Sequence, residues 1–482
     1  MENQQEEVSS KRKLGLFDGV MLVMGSMIGS GIFIVSADIM RNLGSGYWLV
    51  VVWLITGVMT VAAAISYGEL SAMFPKAGGQ YTYLKETFGK MMGFLYGWGL
   101  FAVIQTGTIA AVAVAFGKFT AYLIPALNDA APIFQSGSYK ITWIQILAIG
   151  VILLLTYINT KGVEGGKLLQ NLFTGSKIVA LIGLILLGFL LIKDSFWSEN
   201  MSFSWQAFNN LKTDSSGNFL KTGWESISGM AIMGGIAAAM VGSVFSSVAW
   251  ENVTFVSGEI ENPKKNVVRS MVLGTTAVMV LYLLVNFVYL NALGRDAIAF
   301  AANDRVAVAA SEQIFGGTMG TYIIAILVMI STFGCVNGIV LAGSRVFQTM
   351  AKDGMFFKAA IANNKNGVPE KSLWMQGIWA SVLCLSGQYG NLLDMISFVI
   401  VLFYMITVFG VIYLRFKKPD LERPYKTWLY PITPIVYLLI GAAFCGLLLI
   451  YKQQYTWPGL IIVLIGVPIY FLINKKATSN TN

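Results

Sequence analysis

Histidine is absent from all 482 residues. Its absence removes the commonest zinc ligand and the usual general base and proton shuttle near neutral pH, so His-based metal centres and catalysis are excluded. Cysteine is almost as scarce. Cys335, Cys384 and Cys445 are the only three, all within apolar stretches, which is no framework for a disulfide scaffold. Charged residues make up 12% of the chain, against about a quarter in a soluble domain. What fills the space is apolar: 56% hydrophobic residues and a mean hydropathy of +0.67 identify a membrane protein. A helix needs about 20 apolar residues to cross a hydrocarbon core of about 30 Å, so this length holds a dozen spans and no sizeable soluble domain.

Segments apolar on every face lie near 17–40, 46–73, 91–125, 141–160, 168–192 and 231–257, then near 267–292, 318–350, 372–388, 391–415, 429–451 and 455–474. They predict an all-α, polytopic membrane protein with twelve transmembrane helices. The longest polar stretch, 193–230, is rich in Asn, Ser and Gly and reads as a loop rather than a domain. The opening MENQQEEVSSKRK has no apolar region and cleavage site of a signal peptide, so it is expected to stay in the cytosol. With both termini inside, 23 of the 33 Lys and Arg fall in the tails and inner loops and nine outside, Lys177 alone being within a span. That bias orients membrane helices, and it accounts for the net charge of +9 without any nucleic acid.

Two spans carry weak points. In GSMIGSGIF, Gly25 to Phe33, the triplet Gly29, Ser30 and Gly31 has little helix drive and lies ~18 Å into span 1, near the bilayer midplane. Alone, this could be a close-packing face, since Gly25 and Gly29 are four apart. Span 6 has a matching weakness in SVFSSVAWEN, Ser243 to Asn252, ~21 Å deep. Five spans separate the two starts, so the broken helices run in opposite directions, and paired interruptions in oppositely oriented halves point to the binding site of a secondary transporter. The expected organisation is a cytosolic N-tail over 1–16, a first five-helix repeat over 17–195, an extracellular loop over 196–230, a second, inverted repeat over 231–416, two extra helices within 417–475 and a cytosolic C-tail over 476–482.

A break bares N–H groups at one new helix end and C=O groups at the other, each end carrying about half a unit of charge. A zwitterion with carboxylate and ammonium on one carbon matches that pair, its carboxylate on the amides of Ser30, Gly31 and Ile32. Amino acids are the predicted cargo. A channel would need charge rings or a repeated filter, and an enzyme would need paired acids or an activated nucleophile; neither pattern is present, and no catalytic residue, metal site or cofactor is expected.

Lys177 sits ~13 Å inside span 5, deeper than its side chain can escape, and either bridges to the carbonyls freed in span 1 or snorkels to any nearby carbonyl. Glu251, at the start of the second half of span 6, is either an N-terminal cap or a proton-sensitive carboxylate biasing that half. Glu69, Arg345 and Lys352 fall near helix ends as ion pairs or gate contacts. Gln105, Thr106, Thr108, Asn337 and Tyr404 either line a side-chain pocket or bond between helices.

Five blocks, GSMIGSGIF, YGELSAMFPKAGGQYTYLKETFG (67–89), NTKGVEGGKLLQNLFTGSK (159–177), GEIENPKKNV (258–267) and SRVFQTMAKDGMF (344–356), run in order along nearly the whole chain. They resemble the amino-acid/polyamine/organocation superfamily, most closely its L-type amino-acid transporter branch. The resemblance implies a five-plus-five inverted repeat with two extra helices, discontinuous helices 1 and 6, and alternating access. It would place the substrate carboxylate on the amides of Ser30 and Gly31, beside Gly29, and the ammonium near the carbonyls of Met27, Phe245 and Val248. Phe245 would shut the outer side; its plain reading is a core or lipid-facing aromatic. The branch carries a lysine at the position of Lys177, and the superfamily's arginine/agmatine antiporters an acid at that of Glu251. The chain departs from the usual aromatic-small-aromatic-Gly-Gly-Trp, reading Phe245, Ser246, Ser247, Val248, Ala249, Trp250. The added bulk favours small or medium neutral L-amino acids. Sodium-independent exchange is expected, with proton-coupled symport or a membrane sensor as alternatives. Residues 126–140 contain no cysteine, so no disulfide-linked partner subunit is expected, and the short polar tails suit a bacterial cytoplasmic membrane.

Overall fold

Long runs of Leu, Ile, Val, Ala and Met with few breakers fold here into helices whose ends coincide with Gly, Pro or polar turns. The computed structural model describes residues 14–479 except 77, 128–131, 137–138, 163, 214–218 and 387–388. In chain order the main helices are α1 (Leu16–Met27), α2 (Gly31–Leu43), α3 (Gly46–Met73), α4 (Gln80–Phe88), α5 (Lys90–Leu123, with a widened turn over Leu100–Ile104), α6 (Trp143–Thr160), α7 (Glu164–Leu191) and α8 (Met230–Ser246). They continue with α9 (Asn252–Phe255), α10 (Pro263–Ala292), α11 (Thr318–Lys352), α12 (Glu370–Ser386), α13 (Tyr389–Lys417), α14 (Ile432–Tyr451) and α15 (Gln453–Ser479). Local chemistry sets several ends. Gly44 closes α2 in the left-handed conformation at φ 57°, and Pro263 opens α10 where its missing N–H costs nothing.

The protein is a polytopic all-α membrane protein. Among the described residues, nine helices are long and apolar enough to cross a bilayer, and α1 with α2, bent by 43° at the break between them, would make a tenth. The segment expected as span 6 folds as a shorter helix, α8, of 17 residues before its break, and α12, in the place of span 9, also has 17 residues, about 25 Å of helix. Peripheral helices show why the chain needs lipid. On α7, α14 and α15 large apolar side chains such as Val179, Leu190, Leu439, Ile461 and Leu472 stay exposed, a surface tolerated only against hydrocarbon.

The loops hold more structure than their composition predicts. The polar stretch read as plain loop contains a short helix, Trp197–Ser202, and an antiparallel ladder, β3 (Ala207–Asn209) on β4 (Glu225–Ile227), and a smaller hairpin pairs β1 (Phe134–Ser136) with β2 (Tyr139–Ile141). The ladder docks on the end of α2, where the Asn210 N–H donates to the Arg41 carbonyl at 2.8 Å. Arg41 itself is buried rather than exposed at a helix end, donating to Asp304 and the Ala299 carbonyl at 2.7 Å each. At the opposite end of the bundle, Glu69 takes both Arg415 nitrogens at 2.9 and 2.6 Å, and Arg345 pairs with Glu259 at 3.2 Å.

Candidate functional site

The centre is built on the gap between α1 and α2. The Ile28 N–H still reaches the Met24 carbonyl at 2.9 Å, but Ile28 turns out of helical geometry at ψ 89°, and α2 restarts after Ser30. A break at this position leaves the last carbonyls of α1 without helical donors. Side chains from three other helices take them over. Lys177 on α7 donates to the Gly25 carbonyl at 2.8 Å, Cys335 on α11 to Ser26 at 3.3 Å, Tyr282 on α10 to Met27 at 3.0 Å, and Ser331 on α11 to Ile28 at 3.3 Å. Lys177 is 1% exposed, so its ammonium is spent on this carbonyl and not on a surface. Lys177 thereby ties α7 to the end of α1 next to the break.

The gap between α8 and α9 faces the first. Ser247 leaves α8 at φ −109°, ψ 8°, and Ala249 stands in the left-handed region at φ 69°, where a β-carbon costs about 1–2 kcal/mol. α3 steadies α8 through Thr56 with Ser243 at 2.7 Å and Thr60 with Ser247 at 3.2 Å. Glycine permits the two broken helices to touch: a β-carbon at Gly31 would lie 1.8 Å from Ser246 Oγ and 3.0 Å from its Cα. One at Gly242 would lie 2.8 Å from Val35. Glu251 precedes α9 but makes no side-chain cap bond there, so the capping explanation is not what holds it.

Between the two breaks is a cavity of about 10 Å³, lined by backbone of both and by side chains of α5 and α11. Of the residues singled out in the sequence, Met27, Gly29, Ser30, Gly31, Phe245, Val248 and Thr108 line it. Ile32 does not; it is buried behind, its carbonyl accepting from Tyr289 at 3.2 Å. Gln105, Thr106, Asn337 and Tyr404 turn elsewhere. Gln105 donates to the Ile339 carbonyl at 2.6 Å, Thr106 to Phe101 at 2.7 Å, Asn159 to Asn337 at 2.8 Å, and the Tyr404 ring packs 5.2 Å from Trp250. Val112, Cys335 and Ile339 line the cavity without having been singled out. Their signal was faint but present: Thr108 with Val112, and Cys335 with Ile339, are spaced four apart on helices of even hydropathy, and so share a face. A volume of about 10 Å³ admits one water centre and no amino acid, so the side-chain walls must move apart to admit one.

The two facing breaks, the start of α2 and residues of α5 and α11 meet at one small cavity inside a bundle of apolar helices, the arrangement of a membrane carrier rather than a pore. Residues 14–471 match the family described as amino acid permease, and the chain belongs to that family. It is 31% identical over 468 residues to the large neutral amino acids transporter small subunit 2 of Homo sapiens, covering 96% of this chain and 81% of that protein. It is 28% identical to the Asc-type amino acid transporter 1 of Mus musculus, covering 97% and 82%, and 25% identical to the mouse b(0,+)-type amino acid transporter 1, covering 96% and 88%. The protein is an amino-acid transporter and not an enzyme.

Proposed function

We propose that the chain is a sodium-independent exchanger of small or medium neutral L-amino acids, working by alternating access in a cytoplasmic membrane with both termini cytosolic. In this reading twelve crossings form a five-plus-five inverted repeat and two extra helices, with α1–α2 and α8–α9 as its discontinuous members. The observation that carries it is that the two breaks face one cavity, lined by Ser30 and Gly31 where α2 begins.

The carboxylate of the substrate sits at Ser30 and Gly31, on the amides at the start of α2 where partial positive charge collects; Ile32, which lies behind the cavity, takes no part. Its ammonium sits by the carbonyls of Met27, Phe245 and Val248; the Met27 carbonyl keeps a lone pair beside the one Tyr282 uses. Val248 and Ala249, where smaller residues would leave room, limit the side chain that fits, and the name of one relative, a large neutral amino acids transporter, supports a neutral substrate. Phe245, buried at the wall, closes one face over the bound molecule. Lys177 supplies a fixed positive charge at the end of α1, which disfavours a sodium ion in the same place. Glu251 biases the opening of α9. No covalent partner subunit is proposed, since all three cysteines are buried in the bundle.

The test is countertransport in proteoliposomes. Uptake of labelled alanine, serine or leucine that saturates, rises when the same amino acids are loaded inside, and ignores replacement of sodium is the expected result. Binding without uptake would make the protein a sensor, and uptake driven by an imposed proton gradient with empty vesicles would make it a symporter.

A further inference from the structure

One unbroken helix lies alongside both halves of the first broken one. α10 runs for 30 residues and carries Tyr282, Asn286 and Tyr289 at helical spacing, hence on one face. All three are fully buried. Tyr282 donates to the Met27 carbonyl, on the α1 side of the break, at 3.0 Å. Tyr289 donates to the Ile32 carbonyl, in the first turn of α2, at 3.2 Å. Between them Asn286 Nδ2 donates to the Tyr282 carbonyl at 2.7 Å, which leaves its Oδ1 to accept from the Ser36 hydroxyl of α2 at 2.6 Å. Nearer its start, α10 closes on α1 through glycines: a β-carbon at Gly274 would lie 2.6 Å from the Val23 side chain, and one at Gly19 would lie 2.2 Å from the Ser270 hydroxyl.

α2 leaves α1 at 43°, and its first amides serve a carboxylate only while that direction holds. Binding groups keep their working geometry when side chains of a neighbouring rigid element bond to the backbone that carries them. We propose that α10 is a splint across the break: Tyr289 and the Asn286–Ser36 pair are positioning residues that keep the amides of Ser30 and Gly31 aimed at the substrate carboxylate, as Tyr282 keeps the Met27 carbonyl aimed at the ammonium. The assignment rests on the proposed carboxylate site at the start of α2 and divides the work along one face of α10. Its far end serves the negative group of the substrate, and its middle serves the positive one. Weakening the α2 side therefore penalises only ligands that carry a carboxylate, whereas weakening the α1 side penalises every ligand that carries an ammonium.

Ligand-induced thermal shifts of the purified full-length protein test this, using L-alanine, L-serine and L-leucine and then the amide of whichever binds best. The amide keeps the ammonium and lacks the carboxylate. In Tyr289→Phe and in Ser36→Ala the amino-acid concentration giving half the shift is expected to rise about threefold, and roughly tenfold in the double variant, while that of the amide changes by no more than about twofold. Tyr282→Phe is expected to weaken acid and amide alike. Exchange in proteoliposomes gives a second readout: half-saturation rises in the α2-side variants at an unchanged maximal rate, whereas a merely structural role lowers the rate at constant half-saturation. Unchanged amino-acid affinity in the double variant overturns the proposal, and so does an equal loss for acid and amide in the α2-side variants. Each substitution deletes a single hydroxyl, so the single variants decide if the double does not fold, and exchange decides if the amide does not bind the wild type. Equal binding of acid and amide by the wild type, or binding of neither, overturns the carboxylate site itself and the splint with it.

Discussion

The two helix breaks are alike in depth and composition, yet they are supported in opposite ways. At the first, each of four successive carbonyls, Gly25 to Ile28, accepts from a side chain on α7, α10 or α11. At the second, Ala249 is held in a conformation that disfavours a side chain, Glu251 Oε2 and Asn252 Nδ2 have no partner among the described residues, and α9 is a single turn of four residues. A break whose backbone carbonyls are all taken by fixed side chains is a rigid feature, even though the Ser26 hydroxyl there has no partner among the described residues. One that stores strain and leaves polar atoms waiting is poised to rearrange. In the proposed cycle the first break is the template for substrate, and the second is the part that gives.

That contrast can be attacked at both ends. The largest effect is expected for Gly31→Leu, because even its β-carbon collides with Ser246, including its backbone; substrate binding, read by thermal shift with amino acids, is expected to vanish. Lys177→Ala comes next. It removes the charged donor from a buried carbonyl, a loss of about 1.5–3 kcal/mol, and is expected to cut exchange at least tenfold while the protein still inserts and elutes as a single species. Unchanged exchange in this variant would mean that the first break does not need its clamp. Tyr282→Phe deletes a neutral bond to Met27, so a smaller loss of about 1 kcal/mol is expected, measured as a raised half-saturation concentration with little change in insertion. The smallest change, and the only one of opposite sign, is Ala249→Gly. Relief of the left-handed strain is expected to stabilise by up to about 1 kcal/mol and to let larger neutral side chains compete in exchange. A destabilised variant that still excludes larger amino acids would remove the claim that the second break is strained and sets the size limit.

Much of this was legible beforehand, for identifiable reasons. Both breaks were visible because Gly29 to Gly31 and Ser246 to Ala249 weaken helices that are otherwise strongly apolar, a purely local property. Lys177 was visible because a cation has no ordinary place at that depth. The carbonyl partners Tyr282, Ser331 and Cys335 were not, since each is an unremarkable residue on a helix more than 250 positions from the group it serves. Tyr404 shows the converse: a polar residue in a span invites a role in the pocket, and here it packs against Trp250 and faces Glu251. Glu251 itself stands where a cap would stand, and only the fold reveals that its side chain makes no such bond.

The sequence alone determined that the chain lives in a bilayer, where its helices run, and where two of them must open, because apolar length and helix propensity are set by neighbours in the chain. Which side chains meet the opened backbone, how little room is left between the breaks, and which polar atoms are stranded beside Trp250 were decided only by tertiary packing. Those outcomes depend on distances between helices far apart in sequence, and no local pattern encodes them.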